Sequence, residues 1–171
     1  MVRFKTDALT WISKNGFYSL QSNHETLISI RFLHASIQEF VIGKSVFVCT
    51  RKGFWNPSYT VTENNEFFLS MKHQFWGSNA SIVLFDQQQF IVQYSNNPYL
   101  SISILHQNEM VMQYSLVYKN QQPTLQVQFG NSLLNADLLL ALAAVCFILF
   151  KQIAGEYILE HEDLIGLSIA S

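Results

Sequence analysis

The chain has 171 residues, of which 49% are hydrophobic and only 13% are charged, and its formal net charge is -2. This length suffices for one domain with a real hydrophobic core, and the apolar fraction is too high for an intrinsically disordered chain. The near-neutral charge gives no overall attraction to nucleic acid, so no nucleic-acid partner is expected.

The N-terminal residues 1–16 contain no apolar stretch of signal-peptide length, because Lys5, Asp7 and Lys14 interrupt it. We therefore expect a cytoplasmic protein, with peripheral attachment to a membrane compatible with that location. An additional strand before residue 14 also fits the pattern.

Residues 17–129 are a succession of short segments in which apolar and polar side chains alternate. Between positions 100 and 104, for example, Leu100, Ile102 and Ile104 alternate with two serines. A period of two with one apolar face is typical of a half-buried strand. Polar turn clusters such as ENNE, DQQQ and HQNE separate the segments and favour antiparallel hairpins. The predicted strands are centred near residues 19, 30, 40, 48, 60, 69, 83, 92, 102, 113 and 127.

An internal repeat connects these hairpins. The stretch RKGFWNPSYTVTENNEFFLSMK is followed by HQFWGSNASIVLFDQQQFIVQY, and a degenerate third copy begins at NNPYLSISILHQNEMVMQYSL. Each copy has a polar opening, a strand, a polar turn and a returning strand. Repetition of one such unit favours a closed or wrapped sheet, whereas a propeller blade would need a period of about 40 residues.

The pattern changes after the last strand. Residues 138–150 carry no charge, amide or hydroxyl, and they are rich in the helix formers Leu and Ala. Ser132 is a suitable N-cap, and Asp137 and Lys151 lie where the helix dipole favours an acid and a cation. We predict a helix over residues 132–152.

This predicted helix is apolar on every side and must be surrounded by lipid or by protein. Its apolar run is shorter than the roughly 18–20 residues of a transmembrane span. Its length of roughly 28 Å matches the roughly 26 Å of an eight-residue strand. The sequence therefore predicts a mainly β protein, a closed antiparallel β-barrel of about 12 strands around a central hydrophobic C-terminal α-helix, since so wide a barrel needs a filler. Four side chains that point in different directions around the helix should all be buried: Leu140, Leu142, Phe147 and Leu149.

The openings RKGFW and HQFWG, followed by NADLLLALAAVCFILF, resemble the tubby C-terminal-like superfamily, which includes LURP-one-related proteins and phospholipid scramblases. The resemblance covers about residues 17–152 and implies a barrel threaded by an apolar helix. Residues 1–171 are then one tubby-like domain, with hairpin strands over 17–129, the central helix over 132–152 and an acidic amphipathic tail over 153–171.

The resemblance also implies recognition of membrane lipids, because tubby domains bind phosphoinositide headgroups through paired Lys and Arg on the barrel wall. The candidate lipid- or anion-binding residues here are Arg51, Lys52 and Lys72. Arg offers a phosphate a bidentate fork and Lys offers a point charge. The alternative is that these cations are solvated strand ends that protect the sheet rim from aggregation. Trp55 and Trp76, if exposed, are candidate interfacial aromatics.

Catalysis has no support in the sequence. The five histidines are scattered, His161 has no second His at i+4, and the nucleophile-elbow, P-loop and dinucleotide-binding motifs are missing. Cys49 and Cys146 lie among apolar residues and are expected to be buried thiols rather than a disulfide or metal site. We therefore expect no cofactor and no bound metal.

Three functional hypotheses remain open. The first is a non-enzymatic binding module that recognises membrane phospholipid or another anionic amphiphile. The second is a protein-interaction or scaffold domain that uses the rim aromatics or the acidic tail. The third is a membrane-anchored protein with residues 133–150 as its span.

Overall fold

The chain folds as a series of antiparallel strands followed by one helix. A computed structural model describes residues 9–14, 16–22, 25–53, 56–73, 79–96, 99–119, 122–130 and 134–158. The elements of this part of the chain are β1 (Leu9–Lys14), β2 (Phe17–Ser22), β3 (Glu25–His34), β4 (Ile37–Ile42), β5 (Ser45–Lys52), β6 (Ser58–Glu63), β7 (Glu66–His73), β8 (Asn79–Leu84), β9 (Gln89–Ser95), β10 (Ser101–His106), β11 (Glu109–Lys119), β12 (Gln122–Phe129) and α1 (Ala136–Ile158).

The strands form one sheet in which each pairs with the next along the chain, from β1 to β12. Every predicted strand centre falls inside one of the strands β2 to β12, and β1 is the additional strand before residue 14. The repeated sequence units correspond to the hairpins β6–β7, β8–β9 and β10–β11. The predicted barrel of about 12 antiparallel strands is thus confirmed, in a nearly closed form.

A hydrogen bond links the edge strand β1 to β11, the neighbour of the other edge strand β12. Trp11 donates from Nε1 to the Tyr114 hydroxyl oxygen at 3.2 Å, and that hydroxyl donates to the Ala143 carbonyl oxygen of α1 at 3.1 Å. Tyr114 is fully buried. One hydroxyl group therefore joins β1 and β11 to the helix, and its two hydrogen bonds satisfy a polar group that would be costly to bury alone.

The helix begins later and ends later than the predicted 132–152. The Asn135 side-chain oxygen accepts a hydrogen bond from the Leu138 backbone N–H at 2.7 Å, so Asn135 is the N-cap and Ala136 the first helical residue. Ser132, the predicted cap, lies outside the described residues. At the other end, residues 153–158, assigned above to the acidic tail, continue the helix to Ile158 because they contain no proline to stop it.

The helix fills the interior of the barrel. Leu140, Leu142, Phe147 and Leu149 are all buried, as predicted, and Phe147 stacks on Trp11 with ring centroids 3.9 Å apart. Among the described residues, α1 alone is long and apolar enough to cross a membrane, and 72% of that stretch is buried within the protein. The apolar run therefore serves as the core of the barrel in this structure.

The up-and-down strand order places alternate connections at opposite ends of the barrel. We call the end where α1 begins the near mouth and the end where it finishes the far mouth. Two of the hairpin turns at the near mouth have positive φ at both central residues. The φ angles are 49° at Asn64 and 71° at Asn65 in one turn, and 52° at Gln107 and 67° at Asn108 in the other. Two successive residues with positive φ are the signature of tight type I′ hairpin turns. The connections β5–β6 and β7–β8 lie at the far mouth.

Candidate functional site

The two barrel mouths carry opposite charge. The described acids at the near mouth are Glu25, Glu63, Glu66, Asp86, Glu109 and Asp137, against Lys44. The basic residues of the far mouth whose side chains are described are Lys14, Arg51, Lys52 and Lys72 at strand ends and Lys151 in the C-terminal half of α1. The acid in that half of the barrel whose side chain is described is Glu39, which faces Arg31 across the β3–β4 pair. The described side chains therefore separate charge along the barrel axis.

The candidate cations divide between the two faces of the sheet. Lys52 pairs with Ser58, which pairs in turn with Lys72, and both lysines are exposed on the outer face. Two strand spacings place them roughly 10 Å apart. Arg51, in contrast, pairs with the buried Tyr59 and faces the interior. Because neighbouring residues of a strand point to opposite faces, Arg51 and Lys52 do not lie side by side on one surface.

Trp55 and Trp76 both lie outside the described residues. The strands on either side of them end at the far mouth, at Lys52 and Ser58 for the first connection and at His73 and Asn79 for the second. Their proposed role as interfacial aromatics stays a prediction.

Arg51 belongs to a group of polar side chains inside the barrel, near the far mouth, which we call the lumen cluster. The Tyr59 hydroxyl donates to Gln152 Oε1 at 2.6 Å, which links β6 to the end of α1. The His73 ring lies between Tyr59 and Tyr94, with centroids 6.0 Å and 5.5 Å away, and is stacked on Tyr94. The cluster consists of Gln38, Arg51, Tyr59, His73, Tyr94 and Gln152.

Five buried polar atoms of the described residues have no hydrogen-bond partner, and all five belong to the lumen cluster. They are Gln38 Oε1, Arg51 Nε, His73 Nε2, the Tyr94 hydroxyl and Gln152 Nε2. Buried polar groups in folded proteins are almost always paired with protein or water, so an accumulation at one place marks a site where something else supplies the partners.

The interior environment also sets the charge of the lumen cluster. Burial, and secondarily the charge of Arg51, lowers the pKa of His73, which favours the neutral imidazole. Burial raises the pKa of Tyr94, with smaller contributions from Cys146 and Tyr59, so the phenol keeps its proton. Arg51 therefore supplies the charge of the cluster, because a guanidinium stays protonated in proteins.

A concavity opens at the near mouth. It has a volume of about 380 Å³ and is lined by Glu63, Asp86 and Asp137, by Lys44 and by aromatic side chains. Phe47 and Phe68 meet edge to face in its wall, with ring centroids 5.1 Å apart. Its excess of carboxylates makes it unsuitable for an anionic ligand.

The sequence interpretation found Arg51 but not its interior partners. The available signal was a polar side chain on the apolar face of a strand: Gln38 shares a face with Phe40 and Ile42, and His73 shares one with Leu69. Such a residue must find partners inside the protein. Which of them meet could not be read from the local pattern, because they come from five strands and the helix.

Neither metal chemistry nor relatives explain the site. The described residues contain no group of three or more His, Cys, Asp or Glu side chains able to hold a metal ion. Comparisons with family models, with curated proteins and with solved structures gave no match for this chain.

Proposed function

We propose that the protein is a non-enzymatic binding module of tubby-like fold, which docks its far mouth on membranes that contain anionic phospholipid. The observation that carries the proposal is the separation of charge between the two mouths. The resemblance to tubby domains is supported by the RKGFW and HQFWG openings and by the apolar helix within a barrel.

The far mouth has the charge and the exposure that peripheral membrane binding needs. Lys52 and Lys72 are exposed on one outer row of the barrel, next to the connections that contain Trp55 and Trp76. Each Lys or Arg close to an anionic bilayer surface contributes about 1 kcal/mol of attraction. The near mouth would be repelled by the same surface, so the proposal predicts one orientation of the barrel.

Flotation with liposomes tests this proposal. We expect the protein to float with vesicles that contain phosphatidylserine and not with phosphatidylcholine vesicles. The double variant Lys52→Ala with Lys72→Ala should bind at least about tenfold more weakly, because two surface charges of about 1 kcal/mol each are lost. Lys44→Ala, which removes an exposed lysine of the near mouth, is the matched control and should bind no more weakly than the parent.

Two results would overturn the proposal: no flotation with anionic vesicles, or equal flotation of the parent and the double variant. Binding should also disappear in about 0.5 M salt, where the screening length falls to a few ångströms.

A second candidate function, interaction with another protein, is favoured by the near mouth. Phe85 is 62% exposed and Phe67 is 48% exposed, and both lie beside acidic residues of the same rim. Exposed aromatics with surrounding charge are typical of protein interfaces. This candidate predicts that the protein does not float with vesicles and that it binds a protein partner stoichiometrically. The substitution Phe85→Ser should abolish binding of that partner.

A further inference from the structure

We propose that the lumen cluster binds a phosphate-class oxyanion, with Arg51 as the charged contact and Gln152, Tyr94 and His73 as hydrogen-bond donors. The site lies inside the barrel, on the opposite face of the sheet from Lys52 and Lys72, and it does not depend on membrane docking.

The unpartnered atoms have the chemistry of an oxyanion receptor. Arg51 Nε and Gln152 Nε2 are donors only, and the Tyr94 hydroxyl and the neutral His73 ring can each donate one hydrogen. Four donors from one group of neighbouring side chains, one of which carries a fixed positive charge, match the acceptor oxygens of a phosphate group, since hydrogen bonds between charged partners are the stronger ones.

A single acceptor completes the set. Gln38 is fully buried, and its Nε2 donates to the backbone oxygens of His34 and Ala35, both at 3.2 Å, so its Oε1 is left to accept. Gln38 pairs with Cys49, which is two residues before Arg51 on the same inner face. An acceptor beside several donors suits a monohydrogen phosphate, which carries one O–H, better than a fully deprotonated anion.

Water alone would satisfy the hydrogen bonds but not the charge. A guanidinium whose Nε is buried without a partner is stabilised by an opposite charge. Among the side chains that the structure describes at this end, the carboxylate is that of Glu39, which lies on the outer face opposite Arg31. A bound oxyanion supplies an opposite charge on the inner face.

The lumen cluster borders solvent at the far mouth. Arg51, His73, Tyr94 and Gln152 are each partly exposed, although their unpartnered donor atoms are buried, whereas residues deeper in the barrel, such as Val92, are completely buried. The ring of basic residues at the far mouth raises the local concentration of anions, and this favours entrance of a small oxyanion.

Isothermal titration calorimetry with inorganic phosphate tests the proposal. The parent protein should bind one phosphate per chain with a dissociation constant below about 1 mM, a range typical of small ligands. Arg51→Met keeps much of the aliphatic stem and removes the charge, and it should weaken binding at least about tenfold. Lys52→Met is the matched control at the next position, on the outer face, and should change the affinity less than about threefold.

A second variant, Tyr94→Phe, tests the same site independently, so the test remains valid if Arg51→Met does not fold. Tyr94→Phe removes one donor and keeps the ring stacked on His73, so it should weaken phosphate binding while the circular dichroism spectrum is unchanged. In the parent protein, phosphate should also shift the His73 ring resonances in NMR spectra. Absence of saturable phosphate binding by the parent, or equal losses in Arg51→Met and Lys52→Met, would overturn the proposal.

Vesicle flotation of the same variants identifies the source of the phosphate. If Arg51→Met loses phosphate binding but still floats with anionic vesicles, the site takes a soluble phosphate. If it loses both, the site takes a phospholipid headgroup. The Lys52→Ala, Lys72→Ala variant should lose flotation and keep phosphate binding, so failure of the membrane proposal is distinguishable from failure of this one.

Discussion

At the scale of single residues, burial decides what the two cysteines can do. Cys49 and Cys146 are both free and completely buried. Burial raises the pKa of Cys49 to about 12 and also raises the pKa of Cys146. Since the thiolate is the reactive form, neither side chain is available as a nucleophile or a metal ligand at neutral pH.

We therefore predict that neither thiol reacts with a thiol-specific reagent in the native protein at about pH 8. Labelling should stay below about a tenth of one equivalent within the time in which an exposed cysteine reacts fully, and should reach two equivalents after unfolding in guanidinium chloride. Lys44→Cys, at an exposed turn, is the positive control and should add one equivalent in the native state. Rapid native labelling of the parent protein would contradict the buried placement of both cysteines.

The limits of sequence interpretation are also clearest at single residues. Burial of Leu140 and Phe147 could be predicted because any helix without a polar side must be covered. The meeting of Tyr94, His73 and Gln152 could not be predicted, because it depends on sheet register and on the rotation of the helix within the barrel. Both are long-range properties that no local pattern encodes.

At the scale of elements, the strands were more predictable than the helix boundaries. Strand positions follow from a period of two that repeats across each segment, so a single atypical residue does not shift them. The start of the helix depends on one cap, and both Ser132 and Asn135 are of the capping type. The structure uses Asn135, whose side chain lies within 2.7 Å of the Leu138 backbone nitrogen.

The barrel and α1 stabilise each other, and Phe147 is a central contact between them. Its ring stacks on Trp11 and also lies 5.3 Å from the ring of Tyr18. We predict that Phe147→Ala lowers the free energy of unfolding by about 3–5 kcal/mol, because it leaves a cavity between the helix and two strands. Urea unfolding followed by tryptophan fluorescence measures the change.

Phe85→Ala is the matched control for this substitution. Phe85 is 62% exposed at the near mouth, so removing its ring should change the unfolding free energy by less than about 0.5 kcal/mol. Equal effects of the two substitutions, or a cost below about 1 kcal/mol for Phe147→Ala, would show that the helix does not fill the barrel as described.

At the scale of the whole molecule, the order of acidic and basic turns along the chain predicts how charge is distributed over the barrel, whereas the overall composition does not. A net charge of -2 gives no indication of polarity. The turns alternate along the chain, with ENNE, DQQQ and HQNE carrying acids and RKGFW and MKHQ carrying bases. In an up-and-down barrel, alternate turns meet at the same mouth, so this alternation becomes a separation of charge along the barrel axis.

The polarity has a structural role as well as the proposed functional one. The N-terminus of a helix carries partial positive charge and its C-terminus partial negative charge. The start of α1 lies at the acidic near mouth with Asp137 in its first turn. The last turn of α1 carries no basic residue, and Lys151, whose ammonium group is 4.8 Å from the centre of the Tyr18 ring, lies further back in the helix. The acids of the near mouth therefore favour the observed direction of the helix, independently of any ligand.

Helix orientation alone does not require the protein to approach a membrane by one end, whereas the proposed docking does. Ser36 and Lys44 are exposed turn residues at the far and near mouths, and each can be replaced by cysteine and labelled with a polarity-sensitive dye, since the native thiols are buried. Anionic vesicles should increase and blue-shift the emission of the dye at Ser36→Cys and leave the dye at Lys44→Cys unchanged, because only the far mouth attracts the surface.

Neutral vesicles and about 0.5 M salt are the controls, and both should abolish the response. A response at residue 44 equal to that at residue 36 would contradict docking by the far mouth. If the dye responds at neither position while α1 is still folded, the membrane-docking proposal is wrong and the charge separation has only its structural role. A response confined to residue 36 is not expected from helix orientation, because the effect of the α1 dipole falls off within the terminal turns of the helix and is screened by salt.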